Sequence, residues 1–357
     1  MNVPAVPNSL QSEFDHEEIA LVKDAASGLV GCIAIHSTML GPSAGGLRLS
    51  TYDSVDAAAV DALRLSRAMT LKSAAAGLDL GGGKAVLVDD GHWGDAGVRK
   101  ARLLAFGKRV ERLDGRYVTA EDVGTTPQDM KTIAEVTAHV TGLPGRSGDP
   151  SEPTARTVFA ALGDAVEFAL ERSLSAVTVG VLGVGHVGGR LVGMLRTAGA
   201  KVIVADIDEA RAAQVARETG ALAIPVEGFT TRRMDVFAPC ALGGVLGPHE
   251  INHLRCCVVA GAANNPLTDP ALATDLHQRG ILYVPDFLAN CGGIIHVGAD
   301  VLGFDRAETD RRIDAAVRQT RSVLVDAVAT GRAPAALAME LVERRLARVA
   351  ADPAGVR

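Results

Sequence analysis

The sequence predicts an α/β protein of two domains separated by a cleft, the second built on a doubly wound parallel sheet. Three observations carry this expectation. The chain has 357 residues, more than the roughly 100 to 200 of one domain. Strand-like and helix-like runs alternate from Glu17 to about Val140, and a Gly-, Pro- and Ser-rich stretch, GLPGRSGDPSEPTA from Gly142 to Ala155, then interrupts them. Beyond it, VTVGVLGVGHVGGRLVGMLRTAGAKVIVADID reads as strand, tight turn, helix and strand, a βαβ unit of the Rossmann type.

In the first domain the strand-like runs are GLVGCIAIHS, KAVLV and GRYVTA. Between the first two, Ser54 to Thr70 (SVDAAAVDALRLSRAMT) repeats apolar residues at three and four spacing behind a Ser cap, which predicts a helix. After the βαβ unit come MDVFAPCA, CCVVAGAAN and ILYVPDFLAN, short apolar runs ending in small or polar residues. An open parallel sheet places its ligand-facing loops at such ends. From Arg306 onward the pattern is helical.

Composition narrows the function. Apolar residues make up 48% and the net charge is −6, so a buried core is feasible and no basic surplus points to nucleic acid. A small-molecule partner is expected. The start, MNVPAVPNSLQSEFDHEE, has no basic segment followed by an apolar run, and no apolar stretch reaches the roughly 18 to 20 residues that cross a bilayer. A cytoplasmic protein without a membrane span follows. Five cysteines (Cys32, Cys240, Cys256, Cys257, Cys291) without a C-x-x-C pair are expected to be free thiols, mostly buried.

Gly183, Gly185 and Gly188 form G-x-G-x-x-G after the strand Val177 to Leu182, and Asp206 stands 18 residues beyond the last glycine, at the end of the next strand. Gly183 permits the tight turn, Gly185 lets backbone approach a pyrophosphate, and Gly188 allows close helix-to-strand packing. Asp206 would hold the adenosine ribose hydroxyls and repel an extra phosphate, which favours NAD over NADP. The cofactor set is taken as Gly183, Val184, Gly185, His186, Val187, Gly188 and Gly189 with Asp206 and Ile207. Nothing in the motif names a reaction; such a unit serves a methyltransferase or a redox-sensing module equally well.

Only seven of the 36 basic residues are lysine, and Lys72 and Lys84 lie twelve residues apart in MTLKSAAAGLDLGGGKAVLV. Small residues there bring backbone close to a ligand and enclose the lysine stems. Burial and a neighbouring cation both lower a lysine pKa, so one lysine can grip a carboxylate while the other activates water. Asp122, in RYVTAEDVGTT, follows a strand and can accept a proton; Glu121 is adjacent and faces the other way on an extended segment. Spacing alone does not choose between these acids, nor does it exclude solvated surface charges.

Read in order, GPSAGGLRL (Gly41 to Leu49), MTLKSAAAGLDLGGGK (Met69 to Lys84), YVTAEDVGTT (Tyr117 to Thr126), GVGHVGG (Gly183 to Gly189), APCALGG (Ala238 to Gly244), GAANN (Gly261 to Asn265) and PDFLANCGGIIHV (Pro285 to Val297) resemble the glutamate, leucine, phenylalanine and valine dehydrogenase family. The likeness is strongest to its short leucine, valine and phenylalanine members. It implies that Lys72 binds the substrate carboxylate, Lys84 activates water, and Asp122 shuttles a proton at the substrate nitrogen. Asn265 matches an asparagine near substrate and nicotinamide, with Asn264 beside it. Arg48 and Thr154 match cofactor-domain contacts, and Cys240, Ala241 and Ala263 match residues lining the nicotinamide pocket.

The implied reaction passes the Cα hydrogen as hydride to NAD; water activated by Lys84 attacks the imine, releasing ammonia and a 2-oxo acid. No metal is expected, because Lys84 can itself polarise the carbonyl. The resemblance also implies a homo-oligomer. Residues 1–145 with 331–357 would form the substrate-binding, catalytic and oligomerisation domain, and 146–330 the NAD-binding domain.

Positions matching the side-chain pocket are Ala44, Gly45, Ala120, Ile294 and Val297, all small or apolar, which disfavours a charged side chain; TAED (Thr119 to Asp122) resembles leucine and valine enzymes and turns the reading to a branched-chain substrate, with an aromatic one as the alternative. Leu47, Leu71, Arg156, Thr157 and Cys291 depart from the family's residues and bear on specificity and packing. A rival reading comes from His249, Glu250 and His253, which spell H-E-I-N-H, the pattern of a zinc hydrolase helix. A non-catalytic NAD-binding protein is a second rival, against which the lysine pair argues.

Overall fold

The computed structural model describes residues 15–143, 149–241 and 243–352. Part of the expected domain crossing, 144–148, lies outside them. A five-stranded sheet is built from β1 (Glu18–Asp24), β2 (Leu29–Ser37), β3 (Ser43–Ser50), β4 (Gly81–Val88) and β5 (Tyr117–Glu121), in the order β1-β2-β4-β3-β5. β1 pairs antiparallel with β2 and β2 with β4, whereas β3 runs parallel to both β4 and β5. The three strand-like runs of the sequence became β2, β4 and β5. β1 and β3 carry weaker patterns: only Val22 of β1 is buried, and β3 opens on small residues that read as a turn.

Helix α1 (Val55–Ala75) begins at the expected Ser54, whose hydroxyl accepts from the Ala57 N–H at 3.1 Å. It continues five residues past Thr70 and so takes Lys72 into its last turn. The glycines before Lys84 correct the sequence reading. They were expected to admit a ligand, yet they admit protein. A Cβ at Gly82 would lie 2.2 Å from Thr70 Oγ1 and 2.4 Å from Ser66 O, both on α1, and one at Gly83 would strike the Tyr117 ring at 2.6 Å. The reason is packing: α1 presses onto β4 at backbone distance. Gly82→Ala is accordingly expected to cost about 3 kcal/mol, the upper range of core overpacking, read as a lower urea midpoint.

The second sheet is all parallel, in the order β11-β10-β9-β6-β7-β8. Its strands are β6 (Thr178–Leu182), β7 (Lys201–Ala205), β8 (Leu222–Ala223), β9 (Val236–Pro239), β10 (Val258–Val259) and β11 (Leu282–Tyr283). Chain order reverses direction between β6 and β9, the switch point at which such sheets take a ligand. Helices cover both faces. Ser151–Leu170, His186–Thr197 and Arg306–Thr330 supply Val158, Leu162, Leu191, Leu195 and Leu324 to one core cluster, while Ile251, Leu272 and Leu276 pack with Phe237 and Val259 on the other face.

The chain then returns to the first sheet. The last helix, Pro334–Ala351, lies against α1, with Ala338 and Val342 in one cluster with Ala74, Ala75 and Leu40. Arg345 fastens it by donating to Leu78 O at 2.8 Å and to Ala74 O at 3.2 Å. Among the described residues no helix is long and apolar enough to cross a membrane. All five cysteines are free; Cys32 and Cys291 are buried, Cys240 and Cys256 half-buried, and Cys257 exposed, so two of the five are fully buried where most were expected to be.

Candidate active site

Lys84 sits in the middle of the first sheet, opposite Ala34 of β2, and is buried to 6% exposure. Asp122 follows directly on β5. Its backbone N–H donates to Thr125 Oγ1 at 3.0 Å, and the Thr125 hydroxyl reaches Leu47 O at 2.9 Å, so the loop is tied to β3. Gly46 leaves the space this aspartate needs: a Cβ there would stand 2.7 Å from Asp122 Cβ. Lys84 Nζ and Asp122 Oδ2 are 2.7 Å apart, and Arg48 Nε meets the same oxygen at 3.2 Å. Burial alone would raise the Asp122 carboxyl, but Lys84 and Arg48 outweigh it and hold the group at about 2. Glu121 is exposed, and its charged neighbours include Asp149 and His186. The two acids therefore do face apart.

Lys72 connects the sheets. Its Nζ donates to Asn264 Oδ1 at 2.6 Å, from the end of α1 to the loop after β10. Asn290 Nδ2 donates to the same oxygen at 2.9 Å and to Ala262 O at 3.0 Å. The Asn265 N–H donates to Asp286 Oδ2 at 2.8 Å, and Asn265 holds φ +47°, a left-handed conformation uncommon outside glycine. Burial pushes the Lys72 ammonium down, against the pull of Asp286; burial also pushes the Asp286 carboxyl up.

The glycine loop after β6 behaves as its spacing predicts. Gly183 has φ +95°, and a Cβ there would lie 2.6 Å from the Ala241 nitrogen; one at Gly188 would lie 2.1 Å from Gly183 O. Gly185 differs. A Cβ there would meet nothing within 4 Å, so this backbone is open to a ligand at the start of a twelve-residue helix. Asp206, at the end of β7, is buried and accepts from the Val184 N–H at 2.8 Å and the Asp208 N–H at 2.9 Å, while neighbouring Ile207 is 92% exposed. His186 and Val187 open the helix, and Gly189 N–H donates to Gly185 O at 2.8 Å. This set fits a dinucleotide.

Known proteins resemble the chain over most of its length. Residues 16–139 match the family model described as Glu/Leu/Phe/Val dehydrogenase, dimerisation domain, and residues 203–348 match that described as Glutamate/Leucine/Phenylalanine/Valine dehydrogenase. The chain belongs to this dehydrogenase family. It is 42% identical to the leucine dehydrogenase of Thermoactinomyces intermedius, covering 85% of this chain and 83% of that one. It is 41% identical to the valine dehydrogenase of Streptomyces virginiae, over 93% and 94%. The crystal structure of L-tryptophan dehydrogenase from Nostoc punctiforme superposes with a TM-score of 0.77 at 34% identity, covering 95% and 98%.

Within this dehydrogenase, the remaining expected residues fall into three groups. Ala44 and Ile294 share one apolar cluster with Leu80, Cys291 and Met69. Gly45 and Gly46 of β3 lie opposite Thr119 and Ala120 of β5, and Val297 O accepts from Thr141, whose backbone pairs with Thr119. Cys240, Ala241 and Ala263 line the ends of β9 and β10: Cys240 N–H donates to Leu182 O at 2.7 Å and Ala263 N–H to Pro239 O at 2.9 Å. The third group is Arg48 and Thr154. Arg48, expected at the cofactor, is bound within the first sheet's half to Asp122 and Asp61. Thr154 donates to Pro150 O at 2.7 Å and sits against Gly293, where a Cβ would come within 2.6 Å of its hydroxyl.

The departures from the family pattern have structural partners. Leu47 is fully buried in the first core, and Leu71 packs beside Ala74 and Ala75. Arg156 reaches Asp310 at 3.1 Å and Asp314 at 2.5 Å, while Thr157 Oγ1 accepts from the Gly292 N–H at 3.2 Å. Cys291 is buried, and burial pushes its thiol up to about 11. The H-E-I-N-H segment forms a six-residue helix, Pro248–His253, in which Glu250 caps the Gly247 N–H at 3.0 Å and His253 Nδ1 bonds His249 O at 2.8 Å. Its groups are used in holding that short helix. Sequence reading passed over Asp286 and Asn290, although both stand in PDFLANCGG. The available signal was a polar pair, four apart, in an otherwise apolar run.

Proposed function

We propose that this chain is a cytoplasmic NAD-dependent dehydrogenase that oxidatively deaminates an apolar L-amino acid to its 2-oxo acid and ammonia, reversibly, with valine, leucine and isoleucine preferred. The observation that carries this reading is the 2.7 Å contact between buried Lys84 and Asp122, with a second buried lysine, Lys72, on the adjoining helix. The loop Gly183 to Gly189 with Asp206 and Ile207 would hold the dinucleotide, with Cys240, Ala241 and Ala263 as the residues that would border its nicotinamide. When bound, the nicotinamide supplies an acceptor for the Cα hydride.

The chain's own groups do the rest. Lys72 grips the substrate carboxylate, with Asn264 and Asn265 beside it. Asp122 is kept ionised by Lys84 and Arg48, so it meets the substrate nitrogen as a proton acceptor. Lys84 activates water and polarises the developing carbonyl oxygen. At hydrogen-bond distance, the two can pass a proton between them. Ala44, Gly45, Ala120, Ile294 and Val297 present no charge to the side chain. An aromatic substrate is the second reading, favoured by the small Ala44 and by the similarity to a tryptophan dehydrogenase.

Residues 1–145 with 331–357 are assigned to the substrate side and 146–330 to the nucleotide side. A homo-oligomer is inferred, supported by the match of residues 16–139 to a domain described as a dimerisation domain. The test is a panel of L-valine, leucine, isoleucine, phenylalanine and tryptophan with NAD, following the absorbance of the reduced cofactor. Branched-chain turnover is expected to lead. No turnover of any apolar amino acid would overturn the reading. NADP is expected to be about tenfold poorer or worse, since the Asp206 charge opposes its extra phosphate by roughly 1.4 kcal/mol or more; equal rates would refute that role for Asp206.

A further inference from the structure

We propose that Asp286 is a positioning residue of this cleft, holding Asn265 in its left-handed conformation and setting a carboxylate beside the loop whose Asn264 bonds Lys72. The purpose given to Lys72, gripping a carboxylate, rests on the function proposed above; the two effects of Asp286 do not.

The backbone carries the first effect. Asn265 is one of three non-glycine residues with positive φ among those described, and such a conformation costs about 1 kcal/mol or more unless its surroundings impose it. Both of its peptide groups are held. The Asn265 N–H donates to Asp286 Oδ2 at 2.8 Å, and its carbonyl accepts from the Gly244 N–H at 2.8 Å. Gly243 must be glycine for this approach, because a Cβ there would lie 2.9 Å from Asn265 O and 2.5 Å from Asn264 O. Release of the Asp286 bond frees the end of the loop that also presents Asn264 to Lys72.

Charge carries the second effect. The groups acting on Lys72 are Asp286 at the start of the short helix Asp286–Ala289, Cys291 after it, Lys84 on β4 and Asp122 beyond β5. Burial and the Lys84 charge favour the neutral amine. Asp286 opposes them more strongly than Cys291 or Asp122 does. The neutral amide Asn264 is the direct partner of Lys72 and adds no charge, so without Asp286 the ammonium would keep only weaker support. An asparagine at 286 would satisfy the Asn265 N–H equally well. A carboxylate in a half-buried, largely apolar setting is therefore explained by Lys72 and not by the loop alone.

Two variants separate the effects: Asp286→Asn keeps an acceptor and removes the charge, and Asp286→Ala removes both. The Lys72 titration is read directly, by trace acetylation of the full chain across pH and mass spectrometry of the Lys72 peptide, taking the midpoint of labelling. In Asp286→Asn the midpoint is expected to fall by about one pH unit or more, a tenfold larger neutral fraction at a given pH below it. An unmoved midpoint overturns the charge effect whether or not turnover is found. Steady-state kinetics add the second readout. Asp286→Asn is expected to raise KM for the amino acid increasingly toward alkaline pH with kcat held near neutrality, whereas Asp286→Ala also lowers kcat. Equal kcat in the two variants overturns the loop effect; should the alanine variant not fold, the same comparison is made with Asp286→Ser. Absence of turnover in the unsubstituted chain would sink the proposed function and leave the labelling result to decide the charge effect on Asp286.

Discussion

Replacing Lys84 by alanine is expected to lower turnover of apolar amino acids about 10³-fold or more, with nucleotide affinity unchanged. The size follows from its position. Lys84 is buried in the central part of the first sheet and paired with Asp122, and no other lysine side chain is within ion-pair distance of that carboxylate among the described residues. The variant should fold, because Arg48 still meets the Asp122 oxygen at 3.2 Å and leaves no orphaned charge. The nucleotide loop belongs to the other sheet and keeps its geometry. Rates and NAD titration on one preparation check both halves, and wild-type turnover would remove Lys84 from the reaction.

Asp122→Asn is expected to cause the second large loss, about 10³-fold in kcat, since an amide cannot take the proton. It also strands Lys84, whereas Arg48 keeps Asp61 at 3.0 Å. Breaking a pair as buried as Lys84 and Asp122 costs about 3 kcal/mol, so a lower urea midpoint should accompany the kinetic loss. The pH dependence distinguishes this from simple unfolding. The Asp122 carboxyl is held at about 2, below its ordinary 3.8, so its ion pair stabilises the fold above pH 4 and that contribution is lost as pH falls from about 4 to about 2. The asparagine variant should lack this component of acid unfolding. A variant with intact kcat would show that Asp122 is structural only.

Much of this site was legible in the sequence, for local reasons. The Gly183 to Gly188 spacing fixes a turn, an opening and a close contact within six residues, and each appears as such. The Ser54 cap located the start of α1, and the alternating runs located β2, β4 and β5. What escaped depends on long-range contacts. Gly82 reads as a ligand-facing residue until α1 is seen pressed against it. Arg48 lies in a motif beside the cleft, but its partners Asp61 and Asp122 are 13 and 74 residues away. Asp286 pairs with a backbone N–H 21 residues earlier, a bond that no side-chain pattern announces.

The bond between Lys72 and Asn264 has a consequence for how tightly this chain can hold what it acts on. One of the three N–H donors of the ammonium is already taken, at 2.6 Å, by an amide from the opposite half. On the proposed function, a carboxylate that displaces Asn264 exchanges one partner for another, and the gain at that donor is only the difference between the two bonds. Part of the attraction is thereby withheld from the resting complex. Weak retention of the ground state leaves more of the binding free energy to be expressed as the reaction proceeds. On the same proposal, the amide can return to the lysine when the oxo acid leaves, so that donor is not left without an acceptor.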